Sequence, residues 1–178
     1  METNHMKPFI TDACEGGCCS LPFQFDGITR ERIEDALIGK RIVAYALPAG
    51  HSLACAWQCR FVLNNGYSLE FSSACTVVTG WHEVGSLNTK YHSMEADEGA
   101  DIFQEFEIES FRIAVIERLL YEDSQVYSEC GLVFHDGFGA EIIVAAGVSP
   151  GSVSINAPFS QECFAPEFPV AAYHRASF

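Results

Sequence analysis

Residues 55–75, CAWQCRFVLNNGYSLEFSSAC, decide how the chain is built. Cys55, Trp57, Cys59, Phe61 and Leu63 alternate with Ala56, Gln58, Arg60, Val62 and Asn64, the period-two pattern of a half-buried strand. After Gly66 the alternation resumes, with Tyr67, Leu69 and Phe71 on one face and Ser68, Glu70 and Ser72 on the other. Directly opposed residues of a hairpin share a face, so the pattern selects the loop length. A two-residue Asn65-Gly66 loop sets Leu63 against Ser68 and mismatches every pair. A three-residue loop, Asn64-Asn65-Gly66, opposes Leu63 to Tyr67, Phe61 to Leu69 and Cys59 to Phe71. That loop is a type I turn with a G1 bulge, which needs glycine in the left-handed position. The pattern therefore predicts the three-residue loop.

The same unit recurs 71 positions later without gaps. Arg41, Ile42, Cys59, Val62, Gly66, Glu70, Ala74, Val77 and Gly80 meet Arg112, Ile113, Cys130, Val133, Gly137, Glu141, Ala145, Val148 and Gly151. The turn glycine, one inward cysteine and one outward glutamate all coincide. The repeat places Val126, Ser128, Cys130, Leu132 and Phe134 inward, makes His135-Asp136-Gly137 the second loop, and returns through Phe138, Ala140 and Ile142. An internal duplication follows as the structural expectation.

At 178 residues the chain is long enough for one domain with a proper core and short for two. Its hydrophobic content of 48% with 19% charged residues argues against disorder. No apolar run reaches membrane-spanning length, and residues 1–20 carry no apolar core of a secretory signal. A cytoplasmic location is expected, with most of the eight cysteines reduced.

Charge excludes some partners. The chain holds 24 acidic and 10 basic residues, a net charge of −14. Between Glu95 and Glu109 stand Glu95, Asp97, Glu98, Asp101, Glu105, Glu107 and Glu109 with no lysine or arginine. Such a surface repels nucleic acid and anionic membranes and favours cationic partners.

Along the chain, Thr29 caps a short helix from Arg30 to Ile38, with Ile33, Ala36 and Leu37 as its apolar stripe and Gly39 at its end. Arg41 to Leu47 reads as a strand and Pro48-Ala49-Gly50 as a turn. Thr76 to Val84 reads as a further strand broken at Gly80, and Gly85 to Gly99 as an acidic loop. Asp101 to Ser110 fits either a strand or a helical turn. Phe111 to Leu120 matches the first strand of the repeat, Tyr121 to Gln125 turns, and Val153 to Ile155 closes the copy. Residues 157–178 are too apolar for a free tail and are expected to lie extended across the body.

The fold class expected is therefore α+β, mostly β, as a single domain over 1–178. Two similar β-meander halves, about 29–84 and 101–155, pack face to face, with a short N-terminal helix and the 156–178 tail laid on the body. Their seam consists of Cys59, Phe61, Leu69, Phe71, Cys130, Leu132, Phe134 and Ile142.

Two constellations are candidates for chemistry. Cys14, Cys18 and Cys19 supply thiolates that suit zinc, with His5, Cys163 or another histidine as a fourth ligand, although C-x3-C-C lacks the paired spacing of recognisable zinc sites. Zinc is the only cofactor the residues suggest. Glu70 and Glu141, with His82 or His135, form an acid–base set if the halves bring them together. His135-Asp136 equally fits a turn pair, and Cys59 and Cys130 fit plain core packing. No nucleophile elbow or phosphate-binding glycine loop is present. Trp81, beside His82 and Glu83, is a candidate surface anchor.

Together these point first to a non-enzymatic intracellular module that binds a basic protein through its acidic surface, with Trp81 and the seven acids as contact residues. In size and charge it is similar to the small acidic immunity proteins that neutralise bacterial toxins; no motif supports the likeness. A zinc-binding protein and a small enzyme with its site between the halves are the alternatives, and a homodimer is left open.

Overall fold

The computed structural model describes residues 12–13, 17–78, 82–96 and 100–178. Short strands β1 (Asp12–Ala13), β2 (Cys19–Leu21) and β3 (Gln24–Asp26) lead through a 3-10 turn (Arg30–Arg32) into the helix α1 (Ile33–Leu37). Ile33 and Leu37 are its buried residues, and Gly39 at φ 86° ends it. Then come β4 (Arg41–Pro48), β5 (Cys59–Leu63), β6 (Tyr67–Val78) and β7 (His82–Ser93). After β8 (Phe103–Arg112) a second run follows: β9 (Val115–Glu122), β10 (Val126–His135), β11 (Glu141–Ala146) and β12 (Val153–Asn156). The tail ends in β13 (His174–Ser177).

The strands form two sheets. One has six strands in the order β3-β7-β6-β5-β4-β8. The other has seven: β1-β2-β10-β11-β12, with β9 pairing along the other side of β10 and β13 outside β9. Each sheet is built on an antiparallel meander whose inner face is apolar. The parallel pairs are β2 with β10 and β3 with β7, so the segment 19–26 joins one sheet and then the other. Beyond residue 156 the chain runs back over the second sheet, where His174–Ser177 pair with Glu117–Leu120.

The first hairpin has the expected register. Cys59 faces Phe71, Phe61 faces Leu69, and Gly66 lies at φ 80°. The second hairpin does not repeat it. Phe134 faces Ile142, not Phe138, so the loop is two residues longer and runs from Asp136 to Ala140. Asp136 explains the closure: its Oδ1 accepts the amides of Phe138 and Ala140, both at 2.8 Å. Gly139, at φ 98°, takes the left-handed position expected of Gly137, and Phe138 is 96% exposed. A bulge between Glu129 and Gly131 further offsets β10 from β9. The two meanders share strand order, but the gapless duplication is not supported by these registers.

Other expectations need correction. The stretch from Gly85 is no loop: β7 pairs with all twelve residues of β6, from Tyr67↔Ser93 to Val78↔His82. Trp57 is 58% exposed and stands before the first residue of β5. β9 continues to Glu122 through part of the expected turn.

The main core holds Cys59, Phe61, Leu69, Phe71, Leu132, Phe134 and Ile142, seven of the eight seam residues, together with Ile33 and Leu37 of α1. Phe61, Phe71 and Phe134 meet there with ring centroids 5.3–6.2 Å apart. Cys130 is fully buried, its Sγ donating to the Leu119 carbonyl at 3.4 Å.

A second tie is ionic. Glu129 is 2% exposed and accepts from Arg30, from Arg118 (3.0 Å) and from the Phe23 amide (2.7 Å). Arg118 also donates to the Ser177 carbonyl at 2.9 Å, and Phe178 stacks on Phe23. One buried carboxylate thus joins the start of the described chain, β9, β10 and the C-terminus.

The two loops differ in what they tolerate. Gly66→Val and Gly139→Val should each cost about 1 kcal/mol or more, because a β-branched residue resists positive φ. Gly137→Val should cost distinctly less, since Gly137 is not at positive φ and an added Cβ meets nothing within 4 Å. Urea unfolding of the three variants measures the contrast.

Candidate functional site

Among the described residues β8 pairs only with β4 and forms one edge of the six-stranded sheet. Glu105 lies opposite Ala46 and Glu107 opposite Ala44, so both carboxylates stand over alanines on one face. Phe106 projects to the other face, opposite Tyr45, where Phe106, Tyr45 and Phe159 stack in a row at 5.0 and 5.3 Å. Glu109 is exposed, as are Asp101 and Glu95 in the two 3-10 turns before the strand. Among the described residues no ion pair engages Glu95, Asp101, Glu105, Glu107 or Glu109. Asp97, Glu98 and Trp81 lie outside the described residues.

The two carboxylates of the acid–base set are not brought together, although His135 lies close to one of them. Glu70 is in the six-stranded sheet, bonded to Arg60 at 3.0 Å and Gln58 at 3.1 Å and opposite Lys90. Glu141 is in the other sheet, where Arg175 grips both its oxygens at 2.8 and 3.1 Å. The hydrogen bonds from Arg175 hold that carboxyl below the usual range against the opposing effect of burial. His135 meets Glu117 at 2.6 Å and approaches Glu141 at 3.8 Å, so this group clamps β13 across the sheet.

The cysteines divide similarly. Cys19 is 8% exposed and packs with Leu21, Val78, Val84 and Val126, while Cys18 beside it is half-buried. Cys163 is exposed, and Cys14 and His5 lie outside the described residues. Among the described residues no three His, Cys, Asp or Glu side chains are arranged to hold a metal ion. Burial pushes the thiols of Cys59 and Cys130 far up, which fits inert core cysteines.

Sequence reasoning missed a cleft where the end of the β6–β7 hairpin meets the other sheet. It encloses about 480 Å³ between His82, Glu83 and Val84 on one side and Tyr121, Asp123, Val126, Glu167 and Phe168 on the other. The Tyr121 and Phe168 rings lie parallel, 3.5 Å apart. Glu167 is carried there by the tail, whose residues 165–167 bond to Ala146 and Val148 at 2.9 and 3.0 Å. Its Oε2 accepts the Gly85 amide at 2.8 Å. A Cβ on Gly85 would stand 2.6 Å from that of Ala146, 3.0 Å from the Ser73 hydroxyl and 3.1 Å from the same Oε2, so a side chain here would clash with Ala146 and crowd the carboxylate. Burial raises the Glu167 carboxyl to about 7, the Gly85 amide lowering it in part and Glu83 raising it further. Glu167 is one of two acids in the apolar tail, with Glu162, and it stands between Pro166 and Phe168, which was the available sequence signal.

No protein-family model, no curated protein and no solved structure matches the chain. Among the described residues no helix is long and apolar enough to cross a membrane.

Proposed function

We propose that the chain is a non-enzymatic protein-binding module that captures a basic segment of a partner on the open edge of β8. The carrying observation is the edge itself: a ten-residue strand that, among the described residues, is paired on one side only, with Glu105 and Glu107 on one face and Phe106 on the other. An unpaired strand edge offers main-chain donors and acceptors to an added strand. Its charge decides which strand. Like carboxylates oppose pairing with a second copy of β8, whereas a strand alternating basic and apolar residues matches both faces. The free carboxylates of Asp101 and Glu95 extend the attraction beyond the strand.

The test uses a synthetic peptide of alternating lysine and valine as probe. The triple variant E105K/E107K/E109K should slow its association several-fold and flatten the salt dependence of the rate, with the far-UV spectrum unchanged. An unchanged association rate would contradict the reading.

A further inference from the structure

We infer that the cleft between the β6–β7 hairpin and the C-terminal tail binds a small organic ammonium ion, with Glu167 and Glu83 as its counter-charges and the Tyr121–Phe168 pair as its apolar bed. This site is separate from β8, which lies four strands away from β7 across the sheet.

Size and lining select the ligand class. A cavity of about 480 Å³ suits a small organic molecule and exceeds the needs of a bare metal ion. Val78, Val84, Val126 and Val148 supply apolar wall, and the exposed sides of two stacked rings offer a face to a cation or to a planar group. Against this wall stands a carboxylate fixed in place. Glu167 is held by the Gly85 main-chain amide at 2.8 Å, beside a backbone with no side chain to crowd it. Among the described residues neither Glu167 nor Glu83 has an ion-pair partner. Asp123, the third acid of the lining, is already used: it accepts the amides of Gln125 and Val126 and the Tyr121 hydroxyl. A half-buried carboxylate beside another acid must be neutralised by a proton or by a cation, and the cleft has room for the cation.

Binding should therefore be linked to pH. The groups facing Glu167 are Glu83, Cys75, Cys130, Tyr121 and Tyr173, with His82 and Asp123 at the mouth. Burial raises Glu167 to about 7, so near neutral pH an incoming ammonium ion displaces its proton to solvent.

Calorimetric titration with benzylamine hydrochloride, and with benzyl alcohol as the neutral control, tests the inference. The amine should bind at least about tenfold more tightly than the alcohol, with affinity rising about tenfold from pH 6 to pH 8. Glu167→Gln should abolish both the preference and the pH dependence. Because that variant changes a buried contact, the Gly85 amide resonance of the unaltered protein gives a second readout. It should move with benzylamine and stay fixed with benzyl alcohol. Equal affinity for amine and alcohol, a pH-independent affinity, or a Gly85 resonance indifferent to the amine would each overturn the inference.

Discussion

Glu129→Ala should lower the stability of the chain by about 1.5–3 kcal/mol, because it removes the buried carboxylate to which Arg30 and Arg118, both partly exposed, donate. The same substitution strips the Phe23 amide of its acceptor and loosens Arg118, which also holds the Ser177 carbonyl. Removing one member of a buried ionic group costs more than the group contributes as a whole. Glu129→Leu combined with Arg30→Met and Arg118→Leu should therefore recover most of the loss. The pH dependence has a definite sign. Burial raises the Glu129 carboxyl, but the bonds from Arg30 and the Phe23 amide outweigh it, and its pKa lies below the ordinary value. Stability from this group is present above the unfolded-state value and is lost as pH falls through the folded one. Urea unfolding at neutral and acid pH should show a stability drop in the unaltered protein that is smaller in Glu129→Ala. An equal drop in both would assign the acid sensitivity elsewhere.

The second large effect is expected at Phe134. It is fully buried, and its ring meets Phe61 and Phe71 at 6.2 Å each, across the space between the sheets. Phe134→Ala should cost about 3–5 kcal/mol, as should Phe71→Ala. Because the rings share one cavity, the double variant should lose less than the two losses added together. Strict additivity would mean that the two hairpins do not pack on each other.

These aromatic residues were legible because alternation reports facing directly. The first hairpin could be read to the residue: facing excluded the even loop, and Asn-Asn-Gly supplied the turn. The second loop shows where that reasoning stops. Loops of three and five residues keep the same residues facing inward, so Phe134, Ile142 and their neighbours fit both equally well. The choice was made by Asp136, whose side chain closes the longer loop, and alternation carries no information about that bond. The larger part of β7, from Gly85 on, escaped notice for another reason. Its sequence, HEVGSLNTKYHS, is short of large apolar residues, yet it lies between β6 and β3. Ser86 and Asn88 are buried there in a row of small and polar side chains that carries no strand signal.

Sites were less legible than strands. The acidic run from Glu95 to Glu109 stood out in the sequence, but the place of Glu105, Glu107 and Glu109 on an edge strand comes from β8 pairing, among the described residues, with β4 alone. Glu129 and Glu167 looked ordinary, since burial and partners distant in sequence make them special: Arg30 lies 99 residues from Glu129, and Gly85 lies 82 from Glu167. Non-local pairing of this kind leaves no periodic trace.

Hydrogen exchange along β8 tests the central claim most directly. With the lysine–valine peptide bound, amides of β8 that point away from β4 should become protected, while those already bonded to β4 change little. Protection confined to that outward set is the predicted result. A peptide that binds without slowing exchange anywhere in residues 103–112 would contradict the account.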